Sequence, residues 1–234
     1  MPENLVLGPI WYVVFLLSLT CHEAAHALAA KWGGDLTAFH AGQVTLDPIP
    51  HIRREPFGTI VFPILSFLLS GWMIGWASAP YDPAWQQRYP RRAALMALAG
   101  PIANFILVLI AALAIWIGIW SDFFQAPDSI KNFTQVVAPA QTGLPNALAT
   151  FFSILFSLNL LLGAFNLLPF PPLDGNTVAG LFLSESAALK FYEFSHNQAF
   201  SLIGLFAAWK IFDLVFRPIF TFALNLLYPG ANYH

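Results

Sequence analysis

The sequence predicts an all-α polytopic membrane protein, a bundle of about four to five transmembrane helices with a re-entrant segment and a short β-hairpin near its candidate site. Three observations carry this expectation. Hydrophobic residues make up 58% of the chain and charged residues only 9%, against roughly 25% charged in an ordinary soluble domain. Several apolar stretches approach or exceed the ~20 residues that a helix needs to cross the hydrocarbon core. One of these stretches is interrupted by Pro and Gly, as expected of a segment that does not pass straight through.

Taken in order, the first helix is expected over residues 5–30, ending at Lys31 and the Gly33-Gly34 pair, a stop signal. It lacks a basic residue ahead of its apolar run and leads straight into charged residues, so it reads as a retained helix rather than a cleaved signal peptide. Residues 35–56 alternate apolar and polar side chains around Gln43 to Leu46 and then meet Pro48 and Pro50. That pattern reads as a short strand or hairpin followed by a turn. Residues 57–79 are apolar but broken by Gly58, Pro63, Gly71 and Gly75. Further helices are expected over residues 93–120, 146–168 and 198–227, with a mixed loop at 121–145. No repeat or low-complexity tract interrupts the chain, and residues 1–234 are expected to form a single membrane-embedded domain. The lone cysteine, Cys21, excludes an intrachain disulfide and a Cys-rich metal site. The net charge of −2 says little; no nucleic-acid partner is expected, and the lipid bilayer is the first partner.

Chemistry enters with HEAAH at residues 22–26. On a helix, His22 and His26 project from one face a turn apart, which suits two ligands of one tetrahedral Zn²⁺. Glu23 between them is placed to take a proton from the attacking water and return it to the leaving amine. The location strengthens the reading, because even on insertion scales a charge at the centre of a membrane helix costs about 2.5–3.5 kcal/mol. Three ionisable groups within five residues need a common explanation, and a metal supplies one. A catalytic zinc takes three protein ligands and keeps an open position. The best candidate for the third is Asp174, which follows Pro169, Pro171 and Pro172 and precedes Gly175. Those residues break a helix, and broken backbone at membrane depth must be buried in protein or line a cavity. Read alone, PPLDG also fits an ordinary surface turn. His51 is expected to be structural or solvated, His40, His196 and His234 to be loop, interfacial and tail residues, and Cys21, about 100° round the helix from His22, to pack.

HEAAH on the first helix, AGPIAN at residues 99–104 and NLLPFPPLDG at 166–175 together resemble the three motifs of the site-2 protease family of intramembrane zinc metalloproteases. The intervening GQVTLDPIPHIRREPFGT and the Pro-Arg-Arg before AGPIAN look like its compact prokaryotic branch, although many such members carry Asn where this chain has Asp47. The resemblance implies zinc ligands His22, His26 and Asp174, with Glu23 as acid/base. It also suggests that Asn104, and Asn166 with it, line the active site. Independently of the family, Asn104 is an amide in an apolar helix and must hydrogen-bond something. The resemblance implies cleavage of peptide bonds in or near the transmembrane segments of membrane proteins, in a prokaryotic cell membrane.

Topology tests this expectation. If every apolar stretch crossed the membrane once, the helix carrying HEAAH and the helix leading to Asp174 would run antiparallel, and their C-terminal motifs would sit at opposite faces. The conflict disappears if residues 57–79 dip in and return. Lys31, Arg53, Arg54, Arg88, Arg91, Arg92 and Lys190 then share one side, leaving Lys131 on the other, which marks the site's side as cytoplasmic. The strand around Gln43 to Leu46 would pair with an unwound substrate. Lys210, Asp213 and Arg217 in the last helix are expected to pair at i,i+3 and i,i+4 spacing, or to mark a tilted or broken helix. Two other readings stand beside the protease: a zinc-binding membrane scaffold or regulator without proteolytic activity, and a metal transporter. Intact Glu23 argues against the first, and the concentration of polar ligands at one depth against the second. Substrate identity, regulatory partner and oligomeric state are not encoded legibly.

Overall fold

The computed structural model describes residues 3–195, 198–231 and 233; His196 and His234 lie outside them. Among the described residues, four helices are long and apolar enough to span a bilayer. They lie within α1 (Glu3–Gly33), α6 (Pro90–Trp120), α7 (Leu144–Asn166) and α10 (Gln198–Leu227). Shorter helices fill the connections: α2 (Thr37–His40), α3 (Pro48–Arg54), α4 (Phe62–Ser70), α5 (Pro83–Arg88), α8 (Asp174–Val178) and α9 (Glu185–Ser195). Their ends follow local chemistry. Asp47 and Asp82 cap α3 and α5, accepting from Ile49 N and Ala84 N at 2.9 Å each, and a proline opens each of those helices and α6. After α1 the chain turns through Gly34 at φ +97°, where a side chain would be strained.

α1 and α7 both pack on α6, while α10 packs on α7 and α9. Direction follows from side-chain pairs. His22 and His26 meet Asn104 and the Met96 carbonyl, so α6 runs opposite to α1. Asn159 meets Ser18 and Asp174 meets both histidines, so α7 runs parallel to α1. Leu109, Ile117, Leu202 and Leu214 face outward, whereas Ser18, His22, Glu23, Asn104, Ser157 and Asn159 are buried. This reversal of the soluble pattern places the outer surface in lipid.

Residues 57–79 return as expected. A π-helical turn (Phe57–Val61) leads into α4, and the two together are roughly 21 Å long, short of the ~30 Å core. α4 stops at Gly71 in the left-handed conformation, φ +80°. The chain then comes back as neither helix nor strand: Ile74 N donates to Ser66 Oγ at 3.0 Å and Trp76 N to Gly58 O at 3.1 Å. Ser78 Oγ donates to Glu55 Oε1 at 2.9 Å, so the exit lies beside the entry. Gly58 and Gly75 permit this, since a Cβ on Gly58 would strike the Trp76 carbonyl and one on Gly75 the Gly58 carbonyl.

The expected strand at Gln43 to Leu46 does not form. Residues 41–47 are turns and bends between α2 and α3. Thr45 Oγ1 accepts from Asp47 N at 3.0 Å, and Gln43 Nε2 donates to Pro50 O at 3.1 Å. Four alternating residues without a partner strand gain less than the local bonds that nucleate α3. The small sheet lies elsewhere: β1 (Phe124–Gln125) pairs antiparallel with β2 (Ala138–Pro139) in the α6–α7 connection. It therefore sits at the end of the bundle away from HEAAH, not near the candidate site.

Candidate metal centre

The site is assembled from α1, the first half of α6 and the first residue of α8, Asp174. His22, Glu23 and His26 are all buried, and one ligand atom from each lies within 4.8 Å of the others. His22 Nε2 and His26 Nε2 are 2.9 Å apart. Asp174 brings Oδ2 to 3.1 Å from His22 Nε2 and Oδ1 to 3.3 Å from His26 Nε2.

Asp174 reaches this position because the helix ending at Asn166 cannot continue. Phe170 N bonds Leu168 O at 2.8 Å and Leu173 N bonds Phe170 O at 2.9 Å, which folds the proline-rich loop back. Gly175 is required for close approach rather than for an unusual φ, since a Cβ there would meet the carbonyls of Leu167 and Leu168. From the far side, Tyr192 of α9 donates to Thr177 O at 2.8 Å and so holds α8 in place. Burial pushes its hydroxyl pKa up to about 12, so it remains a donor.

The far nitrogens of both imidazoles are committed. His26 Nδ1 donates to Met96 O at 2.8 Å, and His22 Nδ1 donates to Asn104 Oδ1 at 2.6 Å. In the neutral form of each ring that leaves Nε2 as the lone pair, and the two Nε2 atoms point at one another and at a carboxylate. With both rings neutral, three acceptors 2.9–3.3 Å apart repel one another, and a cation between them removes that repulsion. Tetrahedral Zn²⁺ with ligands at ~2.0–2.1 Å separates them by about 3.3 Å. Asp174 Oδ2 is buried without a hydrogen-bond partner among the described residues. Gly100 faces the same point: a Cβ there would fall against His26 Nε2 and 2.6 Å from His22 Nε2. The donor set, the orphaned oxygen and the space kept by Gly100 all fit a metal ion.

The model of peptidase family M50 matches residues 10–209, a span that includes every residue of this cluster. The chain belongs to peptidase family M50. A Bacillus subtilis (strain 168) protein named "Putative zinc metalloprotease YwhC" is 37% identical over 172 residues, 73% of this chain and 68% of that protein. No solved structure matches significantly. The M50 assignment agrees with the resemblance read from the motifs, and it brings zinc with it.

Within this M50 chain, the other sequence candidates fall as follows. Asn104 is fully buried; its oxygen faces His22 and its Nδ2 donates to Asn159 Oδ1 at 2.9 Å, so neither end of the amide is free. Asn166 is half-buried at the last turn of α7. His51 is buried and its Nε2 donates to Thr45 O at 3.1 Å, a structural role. His40 lines a cavity of about 570 Å³ beyond the end of α1, with Asp35, Asp82 and Arg88. Cys21 is half-buried. Motif reading missed Asn159 and Ser18, although Asn159 carried the same signal as Asn104, an amide in an apolar helix.

Proposed function

We propose that this M50 peptidase is an intramembrane endopeptidase that cleaves transmembrane segments of membrane proteins, with His22, His26 and Asp174 holding one zinc ion and Glu23 as its acid/base residue. The observation that carries the reading is the convergence of two imidazole Nε2 atoms and a carboxylate inside an apolar bundle. Zinc, when bound there, supplies Lewis-acid stabilisation of the developing oxyanion and lowers the pKa of water.

The chain's own residues do the rest. Glu23, buried one position from His22, accepts the proton of the attacking water and delivers it to the leaving amine. Met96 O and Asn104 hold the two imidazoles in the orientation that leaves Nε2 free. Because both ends of its amide are bonded, Asn104 acts by positioning His22 rather than by donating to the oxyanion. A helical substrate must unwind before its carbonyls are accessible. The return, residues 73–82, which is neither helix nor strand, runs along α1 from Phe15, which sits against Gly75, to Asp35, whose Oδ2 accepts from Asp82 N at 2.9 Å. That path passes the level of HEAAH and offers backbone for pairing with an unwound substrate, in place of the segment at Gln43 to Leu46.

Reconstituted in liposomes with a single-span peptide, the protein is expected to cut within or beside the span, and 1,10-phenanthroline is expected to stop it until zinc is restored. Zinc-loaded protein that cuts no membrane peptide would favour the scaffold reading.

The site opens toward the cytoplasmic side in this account. Arg92 Nη1 donates to Gly33 O at 3.0 Å, Arg54 Nε donates to Ser78 Oγ at 3.3 Å, and Arg91 lies 3.9 Å from Glu185. These contacts gather Arg54, Arg91 and Arg92 at the end of the bundle where α1 ends, as the positive-inside rule expects of a cytoplasmic end. In a Cys21→Ala background, cysteines at Arg54 and Arg88 are expected to label from the cytoplasm and one at Lys131 from outside. Labelling of Arg54→Cys and Arg88→Cys from opposite sides would overturn the topology.

A further inference from the structure

Asn159 and Ser18 lie outside every motif named above, yet both are fully buried in the middle of the bundle. Their hydrogen bonds have a direction, and two backbone carbonyls fix it. Ser18 Oγ donates to Val14 O at 2.7 Å, and Asn159 Nδ2 donates to Leu155 O at 2.8 Å. A carbonyl only accepts, so the amino group of Asn159 must face Leu155. Its second hydrogen goes to Ser18 Oγ at 2.9 Å, whose own proton is already given to Val14. Asn159 Oδ1 is thereby turned toward Asn104 and accepts from its Nδ2 at 2.9 Å. With that amino group committed, Asn104 can offer His22 only its oxygen, 2.6 Å from Nδ1. The proton of the neutral imidazole is held on Nδ1, and its lone pair is on Nε2, aimed at Asp174 and His26.

Without Asn159, nothing distinguishes the two ends of the Asn104 amide. Turned over, it presents its amino group to Nδ1, which must then accept. The proton moves to Nε2, and the atom that should hold the metal becomes a donor. We infer that Asn159, braced by Ser18, is a positioning residue that orients Asn104 and thereby sets the tautomer in which His22 binds zinc. This rests on the metal-centre reading above, and the outer partners of metal-ligating histidines typically change affinity 10–100-fold when removed.

The test uses the full chain purified in detergent, with zinc affinity measured by chelator competition and the ligand field read from the visible spectrum of the Co²⁺ form. Asn159→Leu is expected to bind zinc about 10–100-fold more weakly and to show an altered Co²⁺ spectrum. Ser153→Ala is the control, because Ser153 is equally buried on α7 but bonds Val137 N at 3.0 Å, outside the relay; it should keep wild-type affinity. Asn104→Asp added to Asn159→Leu should restore binding to within a few-fold, since either carboxylate oxygen accepts from His22 without needing to be oriented. Wild-type affinity in Asn159→Leu, an equal loss in Ser153→Ala, or no rescue by Asp would each overturn the inference while leaving the zinc site standing. Absence of zinc binding in the wild-type protein would overturn both. If Asn159→Leu does not fold, Ser18→Ala carries the test. Loss of one neutral hydrogen bond predicts a decrease of about 5-fold, and an unchanged affinity contradicts the relay.

Discussion

Glu23→Gln is expected to retain its zinc and lose its cleavage, with the rate falling by about 10²–10⁴-fold. Glutamine matches glutamate in shape, and Glu23 is buried beside the two histidines, so the substitution leaves the packing of α1 undisturbed. What it removes is the basic oxygen. An amide neither takes the proton of the attacking water nor passes it to the leaving amine, while the proposed ligand atoms on His22, His26 and Asp174 are untouched. Single-turnover cleavage of a membrane peptide, read beside zinc content, separates the two effects. Full activity in this variant would remove Glu23 from the mechanism, and loss of zinc would make it a ligand.

Gly100→Ala is expected to cost about 100-fold or more in zinc affinity, at the upper end of outer-partner effects, and to abolish activity with it. The added methyl would fall against His26 Nε2 and 2.6 Å from His22 Nε2, well inside van der Waals contact. Neither ring can retreat cheaply, because Met96 O and Asn104 Oδ1 hold the opposite nitrogens from the same helix that carries Gly100. Gly163→Ala makes the comparison fair. It adds the same methyl inside the bundle but meets the side of the Phe105 ring at 3.0 Å, which can tilt. Zinc titration of the two variants distinguishes a site-specific collision from a general packing defect: Gly163→Ala should bind as wild type does.

The centre of the site was legible because its information is local. Two histidines four apart on a helix must share a face, and PFPPLDG must break whatever helix precedes it. The re-entrant segment was legible indirectly, through the need to bring two C-terminal motifs to one depth. The mistaken strand at Gln43 to Leu46 shows where pattern reading stops. Alternation records a preference, whereas a strand needs a partner, and here Asp47 capping α3 prevailed. The relay through Asn159 lay further beyond reach, since it joins residues separated by 141 positions in the chain and only the packing of α1, α6 and α7 brings them together. Of the polar trio in the last helix, Asp213 and Arg217 do approach at i,i+4 spacing, 3.9 Å apart. Both are exposed on α10, a helix long and apolar enough to span the bilayer, where an isolated charge is costly and pairing lowers that cost.

The most direct test of the account is X-ray absorption at the zinc edge on the purified wild-type protein and on Asp174→Asn. The account predicts one zinc per chain in the wild type, with two imidazole nitrogens at ~2.0–2.1 Å and carboxylate oxygen at ~2.0–2.2 Å completing the protein ligands. In Asp174→Asn the carboxylate contribution should vanish and zinc content should fall. A wild-type protein without zinc, or an unchanged coordination shell in Asp174→Asn, would contradict the three-ligand centre on which the proposed function rests.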